Sequence, residues 1–318
     1  MDKLIRYLAL AALLPLSALA QTYPTKPVRL MVPFPPGGAT DIIGRLVAAQ
    51  MQGVWGQPVV VENKPGAGTV VGTDYVAKSA PDGYTLGTVV TAYVISPSLR
   101  SDMPYDTLKD LAGVTQISVQ HLVMAAHPSL PANSVAELIA LAKKDPGKLS
   151  YATPGSGTAM HLSVELLKTT AGIDLVHVPY KGGAPAQQDV MSGRVPILMD
   201  VLYAVQPLIK SGKIKVLALL SPKRAPESPE YPVVAEAVPG VSALSIVGIV
   251  APAATPRDLL HRISADIAGA VKSSDLTERM KQQGMEPVGS TPEQFDALIR
   301  SEIDKWAKVV KISGAKID

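Results

Sequence analysis

Short apolar runs alternate with helix-period segments along most of this 318-residue chain. This alternation is typical of parallel sheets whose faces are covered by helices. We predict strands at residues 28–32, 58–62, 84–90, 122–126, 148–152, 175–178, 195–199, 214–220 and 245–251. Nine strands are too many for one compact sheet of usual size, so the pattern favours two α/β domains over one.

Two helix starts carry side-chain capping signals. Ser134 with Glu137 forms a capping box ahead of one predicted helix, and Thr291 with Pro292 opens the last predicted helix. The last helix is amphipathic, and we interpret its apolar side chains as core residues, namely Phe295, Leu298, Ile299, Ile303, Trp306 and Val310.

The chain begins with a basic and then an apolar segment. Lys3 and Arg6 precede an apolar run that ends in Ala-Leu-Ala at 18–20. The uncharged stretch is about 15 residues long, which is shorter than the roughly 20 residues that span a bilayer. We therefore predict a signal peptide at residues 1–20, cleaved after Ala20, and a periplasmic destination.

The composition excludes several classes of function. The chain has no cysteine, which excludes a disulfide scaffold, a thiol enzyme and a cysteine-ligated metal. The net charge is +3, too near neutral for a protein that must neutralise many nucleic-acid phosphates. The five histidines lack H-E-x-x-H or other short paired spacing, so neither a metal nor another cofactor is expected.

Four turns rich in glycine, proline and hydroxyl residues each follow a predicted strand. We name them turn 1 (33–41), turn 2 (91–93), turn 3 (153–158) and turn 4 (179–185). In open α/β sheets, ligands bind beyond the carboxyl ends of the strands. Glycines allow close approach of the backbone, and the free N–H groups of a helix start favour an anion. The turns therefore predict a cleft that binds a carboxylate.

Motifs for two other functions, nucleotide binding and hydrolysis, match the sequence poorly. The segment 66–72 (GAGTVVG) resembles a dinucleotide fingerprint, but its third glycine is one place late, and we interpret it as a tight β–α turn. Ser156 has glycines directly beside it rather than two positions away, unlike a nucleophile elbow. A hydrolase or transferase that uses Ser156 with His161 or His177 is the alternative from another class.

Several segments together carry a recognisable pattern. They are 23–29 (YPTKPVR), 32–41 (VPFPPGGATD), 61–68 (VENKPGAG), 80–86 (APDGYTL) and 177–182 (HVPYKG). On these segments the chain resembles the Bug family, the extracytoplasmic solute receptors of tripartite tricarboxylate transporters. The resemblance covers essentially the whole chain after the predicted signal peptide.

The resemblance implies a type II periplasmic-binding-protein fold, with two α/β domains around a central ligand cleft and two hinge crossovers. Domain 1 would comprise residues 23–122 plus 246–318, and domain 2 residues 123–245. The implied protein is a monomer and not an enzyme, and it closes on a small organic carboxylate like a Venus flytrap. It would deliver the ligand to the membrane permease subunits of the transporter. A receptor that signals to a membrane sensor is a further alternative.

The resemblance also implies which residues hold the ligand, through main-chain groups, hydroxyls and ordered water. The implied ligand-binding residues are Phe34, Pro36, Gly38, Asp41, Thr91, Ser156, Gly157, Thr158, His161, Ala184 and Asp200. We expect Asp41 to act at the helix start rather than to touch a carboxylate, because two bare anions repel. Asp200 could orient a loop, cap a helix or contact the ligand, and either aspartate could meet the ammonium of an amino-acid ligand.

The chain departs from the family pattern at two places. Members often have asparagine where this chain has Ser96, and Trp-Phe where it has Ile246 and Val247. The identity of the ligand therefore cannot be copied from a relative.

Overall fold

The computed structural model describes residues 23–225, 228–282 and 284–315, so the predicted signal peptide lies outside the described residues. The strands are β1 (Val28–Val32), β2 (Val59–Asn63), β3 (Thr85–Val90), β4 (Leu111–Ala126), β5 (Ser150–Thr153), β6 (Val176–Pro179), β7 (Ile197–Val201), β8 (Lys215–Leu219), β9 (Leu244–Pro252) and β10 (Glu286–Pro287). The α-helices are α1 (Ala39–Trp55), α2 (Val70–Ala77), α3 (Thr91–Leu99), α4 (Val135–Lys144), α5 (Ala159–Ala171), α6 (Gly183–Met191), α7 (Leu202–Lys210), α8 (Val234–Ala237), α9 (Arg257–Val271), α10 (Ser274–Gln282) and α11 (Pro292–Ser313), with a 3-10 turn at Ala67–Thr69.

Every predicted strand overlaps a strand of the structure, and the largest difference is in β4. This strand begins at Leu111 rather than at residue 122. Its first half carries polar side chains, among them Thr115 and Gln116, which the fold buries. Thr115 Oγ1 donates to the Ser290 carbonyl at 2.7 Å, and the Gln116 N–H donates to Ser290 Oγ at 2.8 Å. Because these partners lie far along the chain, the local apolar pattern cannot reveal the first half of β4.

The strands form one mixed sheet built from two parallel groups. The order is β2-β1-β3-β9-β4-β7-β5-β6, and β8 and β10 pair with β4. Strand β1 is parallel to β2 and β3, and β5 is parallel to β6 and β7. Strands β9 and β4 lie between the two groups and pair with their neighbours in antiparallel fashion.

The register of β4 makes the two parallel groups point towards each other. Residues of β4 up to His121 pair with β9, and from Leu122 onwards they pair with β7 and β8. Strand β3 runs in the direction of β4 and ends beside Val247, which pairs with Ser118 of β4. Strand β7 runs the opposite way and ends at Val201, opposite Leu122. The carboxyl ends of both groups therefore meet at the middle of β4, while the domain boundaries themselves stay a prediction.

The last helix joins the hydrophobic core of the two groups. Helix α11 packs against α3 and β4 on one side and against α5 on the other. Among its predicted core residues, Phe295, Ile299 and Trp306 are buried, and Leu298, Ile303 and Val310 are half-buried. Glycine at 248 is required at this contact, because a Cβ there would overlap the Phe295 ring.

The capping predictions hold with one change of partner. Thr291 and Gln294 form a complete capping box at the start of α11. Ser134 accepts a hydrogen bond from the Glu137 N–H, but the Glu137 carboxylate reaches back to the Asn133 N–H instead of completing a box with Ser134. Within the described part of the chain, the helices are too short or too polar to cross a membrane.

Candidate ligand-binding site

Turn 1 is held in place by Asp41 at the start of α1. The Asp41 carboxylate is 2% exposed and accepts hydrogen bonds from Arg45 Nε, the Gly37 N–H and Asn63 Nδ2, each at 2.9 Å. The Arg45 hydrogen bond first, and then those from Gly37 and Asn63, lower the pKa of Asp41 to about 2. Asn63 Nδ2 also donates to the Phe34 carbonyl at 2.9 Å. Both oxygens of Asp41 are therefore engaged in tying turn 1 to the end of β2.

Turn 2 is tied to the sheet through Thr91. The Thr91 side chain is buried, and its Oγ1 accepts a hydrogen bond from the Ile246 N–H at 2.9 Å. Because Ile246 pairs with Val119 of β4, this contact places Thr91 beside the middle of β4. Among the described residues no hydrogen bond uses the hydroxyl hydrogen of Thr91, so it can be donated to a further acceptor.

Turn 3 is closed by side chains at the start of α5. Thr158 Oγ1 donates to the Gly155 carbonyl at 2.8 Å and accepts from the His161 N–H at 3.3 Å. The Gly157 N–H donates to His161 Nδ1 at 3.2 Å, and the φ of Gly157 is +74°, a conformation that favours glycine. Ser156 lies half-buried within this turn.

Three stacked rings lie next to turn 3. The His161 ring stacks on the His177 ring with centroids 4.0 Å apart, and His177 stacks in turn on Tyr151 at 4.9 Å. His177 Nε2 lies 2.7 Å from Thr153 Oγ1, and Tyr151 Oη donates to Glu165 at 2.7 Å. Burial lowers the pKa of His161, and burial followed by the nearby His161 lowers that of His177 to about 3. Both imidazoles are therefore neutral at neutral pH.

Turn 4 brings the start of α6 against Asp200. A Cβ on Gly183 would lie 2.9 Å from Asp200 Oδ2, so glycine is needed for this approach. Asp200 is 3% exposed and accepts from Gln187 Nε2 and the Val201 N–H, both at 2.8 Å. Within the described residues no cationic side chain forms an ion pair with it, and burial raises its pKa. Ala184 follows in the first turn of α6 and is exposed.

Among the described residues, the helix starts that follow β1, β3, β6 and β7 have no side-chain cap. They are the starts of α1 after β1, α3 after β3, α6 after β6 and α7 after β7. The first N–H groups of a helix have no partner within the helix and carry its positive dipole end. Together these helix starts can bind an anion through main-chain donors.

The structure distributes the sequence-predicted site residues over two facing sets. Those that follow β1 and β3 are Phe34, Pro36, Gly38, Asp41 and Thr91. Those that follow or end β5, β6 and β7 are Ser156, Gly157, Thr158, His161, Ala184 and Asp200. Pro36 and Gly38 are exposed, Phe34 is half-buried, and Asp41 is buried. The two sets face each other because the two parallel groups of strands point towards each other.

Known proteins match this architecture. The family model described as "Tripartite tricarboxylate transporter family receptor" matches residues 43–315. The chain belongs to this receptor family. BugT from Bordetella pertussis is 38% identical over 301 residues, which are 94% of this chain and 92% of BugT. The Bug resemblance is therefore confirmed.

Two solved structures resemble the chain along most of its length. The R. palustris protein Rpa4515 with adipate has a TM-score of 0.83 at 36% identity and covers 93% of this chain and 100% of its own. MatC from Rhodopseudomonas palustris with bound malate has a TM-score of 0.79 at 29% identity and covers 91% and 100%. The expected periplasmic-binding-protein fold is thereby confirmed.

Several residues that shape the site escaped the sequence analysis. Asn63 and Arg45 position turn 1, Gln187 holds Asp200, and Tyr151 stacks on His177 beside turn 3. The Asp41–Arg45 spacing of four residues in a helix was a visible signal for one of these contacts. The others depend on strand register and have no local signal.

Proposed function

We propose that this protein is a periplasmic solute-binding protein that captures a small organic carboxylate between its two facing sets of turns. Membership of the tripartite tricarboxylate transporter receptor family supports the binding role. The observation that carries the proposal is the convergence of uncapped helix starts on one region, from both parallel groups of strands. Two related structures, one with adipate and one with bound malate, support a carboxylate as ligand.

The chemistry of capture follows from these donors. The N–H groups of the helix starts and the hydroxyl of Thr91 replace water around the carboxylate. Thr158 contributes by holding turn 3 in shape through its hydrogen bonds to Gly155 and His161. The buried carboxylates of Asp41 and Asp200 do not bind the anion directly, because like charges repel. Asp41 holds turn 1, and Asp200 orients the start of α6 through Gln187. A ligand stabilises the closed arrangement of residues 23–122 plus 246–318 against 123–245 by its greater affinity for that arrangement.

The proposal includes delivery and location. The mature chain, cleaved after Ala20, acts as a monomer in the periplasm and hands its ligand to the membrane permease subunits of a tripartite transporter. The family of the chain supports this step.

Binding without catalysis is favoured over a serine hydrolase. Both candidate histidines are already engaged within the described residues: His161 Nδ1 accepts from the Gly157 N–H, and His177 Nε2 pairs with Thr153. A general base must reach the hydroxyl of its nucleophile, here Ser156. The ring nitrogens instead stabilise turn 3.

The test combines identification of the ligand with a pair of matched variants. Native mass spectrometry of the purified protein detects a co-purified carboxylate, and calorimetric titration with adipate and malate measures affinity. Thr158 and Thr291 each cap a helix by accepting an N–H hydrogen bond at 3.3 Å, but only Thr158 lies in a proposed binding turn.

We expect both Thr158→Val and Thr291→Val to lower the melting temperature, since each loses a cap worth about 1 kcal/mol. Thr158→Val should lower it further, because it also loses the hydrogen bond to the Gly155 carbonyl. Only Thr158→Val should weaken binding, by about tenfold. Equal affinity in both variants would remove Thr158 from the site. A protein that binds no carboxylate, and whose turnover of an ester is lost in Ser156→Ala, would favour the hydrolase.

A further inference from the structure

A fifth turn lies at the same edge of the sheet and belongs to the GAGTVVG segment. It comprises residues 66–69 and follows β2, whose last residue, Asn63, pairs with the last residue of β1 in parallel register. The carboxyl end of β2 therefore lies beside turn 1. In this segment Gly72 allows close packing of the backbone. A Cβ on Gly72 would lie 2.7 Å from the Lys64 carbonyl and 3.0 Å from Pro33 Cβ, which explains the glycine without a dinucleotide fingerprint.

The backbone of this 66–69 turn is strained. Gly66, Ala67, Gly68 and Thr69 have successive φ values of +142°, +45°, +66° and +91°. Ala67 and Thr69 are the only non-glycine residues with positive φ in the part of the chain that the structure describes. A β-branched residue rarely adopts such a conformation, and strain of this kind concentrates at functional sites.

The hydroxyl of Thr69 is buried and has no hydrogen-bond partner in the part of the chain that the structure describes. The residue is 3% exposed, and within the described residues Thr69 Oγ1 makes no hydrogen bond. Thr69 stands at the N-cap position of α2, yet its side chain does not cap the helix. Its carbonyl is satisfied by Thr73 Oγ1 at 3.0 Å. A buried hydroxyl without a partner is unfavourable. The Thr69 hydroxyl can therefore donate a hydrogen bond to an acceptor that the described residues do not supply.

The neighbours of Thr69 are the two proposed binding turns on its side of the sheet. The close approach at Gly72 sets the first turn of α2 against Pro33 of turn 1. The 3-10 turn that ends in Thr69 packs against α3, whose first residue is Thr91 of turn 2. Thr69 thus lies at the uncapped start of α2, in a 3-10 turn that packs against the helix which turn 2 begins, and α2 itself lies against turn 1.

We propose that Thr69 is a specificity-determining residue that contacts the ligand, and that its buried hydroxyl donates a hydrogen bond to a carboxylate oxygen only in the bound state. This inference rests on the proposed function. It adds the 66–69 turn to the binding surface that the other turns form.

The experiment separates stability from affinity. Thr69→Val keeps the shape and the backbone strain but removes the hydroxyl. Because that hydroxyl is unpartnered without ligand, the melting temperature of the ligand-free variant should be equal to or above that of the wild type. The dissociation constant for whichever of adipate and malate the wild type binds should rise about tenfold, and Thr69→Ser should retain wild-type affinity.

Thr107→Val is the matched control. Thr107 Oγ1 is also buried without a partner, but Thr107 lies in the connection between α3 and β4, outside the proposed binding turns. The dissociation constant of Thr107→Val for the ligand should equal that of the wild type. Should Thr69→Val fail to fold, Thr69→Gly carries the same test, since glycine adopts a φ of +91° freely and also lacks the hydroxyl.

The outcomes are distinguishable. Weaker binding by Thr69→Val with an unchanged or raised melting temperature supports the inference. Wild-type affinity in Thr69→Val, together with weakened binding by Thr158→Val, overturns the role of Thr69 and leaves the proposed function standing. A wild-type protein that binds neither adipate, malate nor any co-purified carboxylate overturns both.

Discussion

Replacing Asp41 by asparagine tests whether its buried carboxylate holds turn 1 in place. The folded state lowers the pKa of Asp41 from 3.8 to about 2, mainly through the hydrogen bond from Arg45. At about 1.4 kcal/mol for each pH unit, this difference corresponds to about 2 kcal/mol of stability. The Arg45 side chain is 53% exposed, so water screens part of the interaction, and we expect Asp41→Asn to lower the free energy of unfolding by about 1 to 2 kcal/mol.

The sign of the pH dependence follows from the direction of the shift. Because the folded pKa is the lower one, the charged carboxylate stabilises the fold, fully so above the ordinary value of 3.8. The stabilisation is lost as the pH falls through about 2, with about half of it remaining at pH 3. The difference in melting temperature between wild type and Asp41→Asn should therefore be a few degrees at pH 7 and about half as large at pH 3.

The chain contains a matched control for this prediction. Asp275 and Arg279 form a second aspartate–arginine pair at the start of a helix, also four residues apart, with Nε and Oδ1 separated by 3.1 Å. Both side chains are more than half exposed, so Asp275→Asn should change the melting temperature by no more than about 1 °C. Equal effects of the two substitutions, or an Asp41→Asn effect that does not shrink at pH 3, would refute the reasoning. Calorimetry of the wild type and the two variants at pH 7 and pH 3 decides it.

Two further predictions concern the stack and the core. The pKa of His177 is lowered to about 3, so the unfolded state binds a proton that the folded state excludes, and stability should fall as the pH drops from about 6.5 towards 3. His177→Phe keeps a ring in the stack but cannot titrate, so its melting temperature should fall less from pH 7 to pH 5 than that of the wild type. An equal fall would contradict this. Replacement of the half-exposed His261 by phenylalanine serves as the control. Gly248→Ala should lower the stability by about 1 to 3 kcal/mol in denaturant unfolding because its Cβ meets Phe295, whereas Gly269→Ala, in α9 with open space around it, should raise stability by up to about 1 kcal/mol. Similar effects at the two glycines would show that the contact with Phe295 does not matter.

The local elements follow closely from the sequence because their signals are local. β1 coincides with its predicted residues, since a short, mostly apolar run between two prolines is typical of a buried strand. The capping box of Thr291 and Gln294 depends only on the spacing of side chains within one helical turn. The first half of β4 could not be predicted from the sequence, because its polar groups are satisfied by Ser290, which lies far away along the chain.

The candidate site was likewise predictable only in part. Its turns are recognisable in the sequence because glycine, proline and hydroxyl residues cluster after apolar runs, and because their motifs resemble a known family. The partners of the site residues were not visible. Asn63 reaches Asp41 only because β2 pairs with β1, and His177 stacks on His161 only because β6 lies beside β5.

The sequence by itself therefore determined the alternation of strands and helices, the helix starts and the family, because these depend on residue patterns within about one element. Only the tertiary structure decided that the carboxyl ends of the two parallel groups meet at the middle of β4. It also decided that the buried hydroxyl of Thr69 has no hydrogen-bond partner among the described residues. The physical reason is that strand register and the satisfaction of buried polar groups are set by residues distant in the chain.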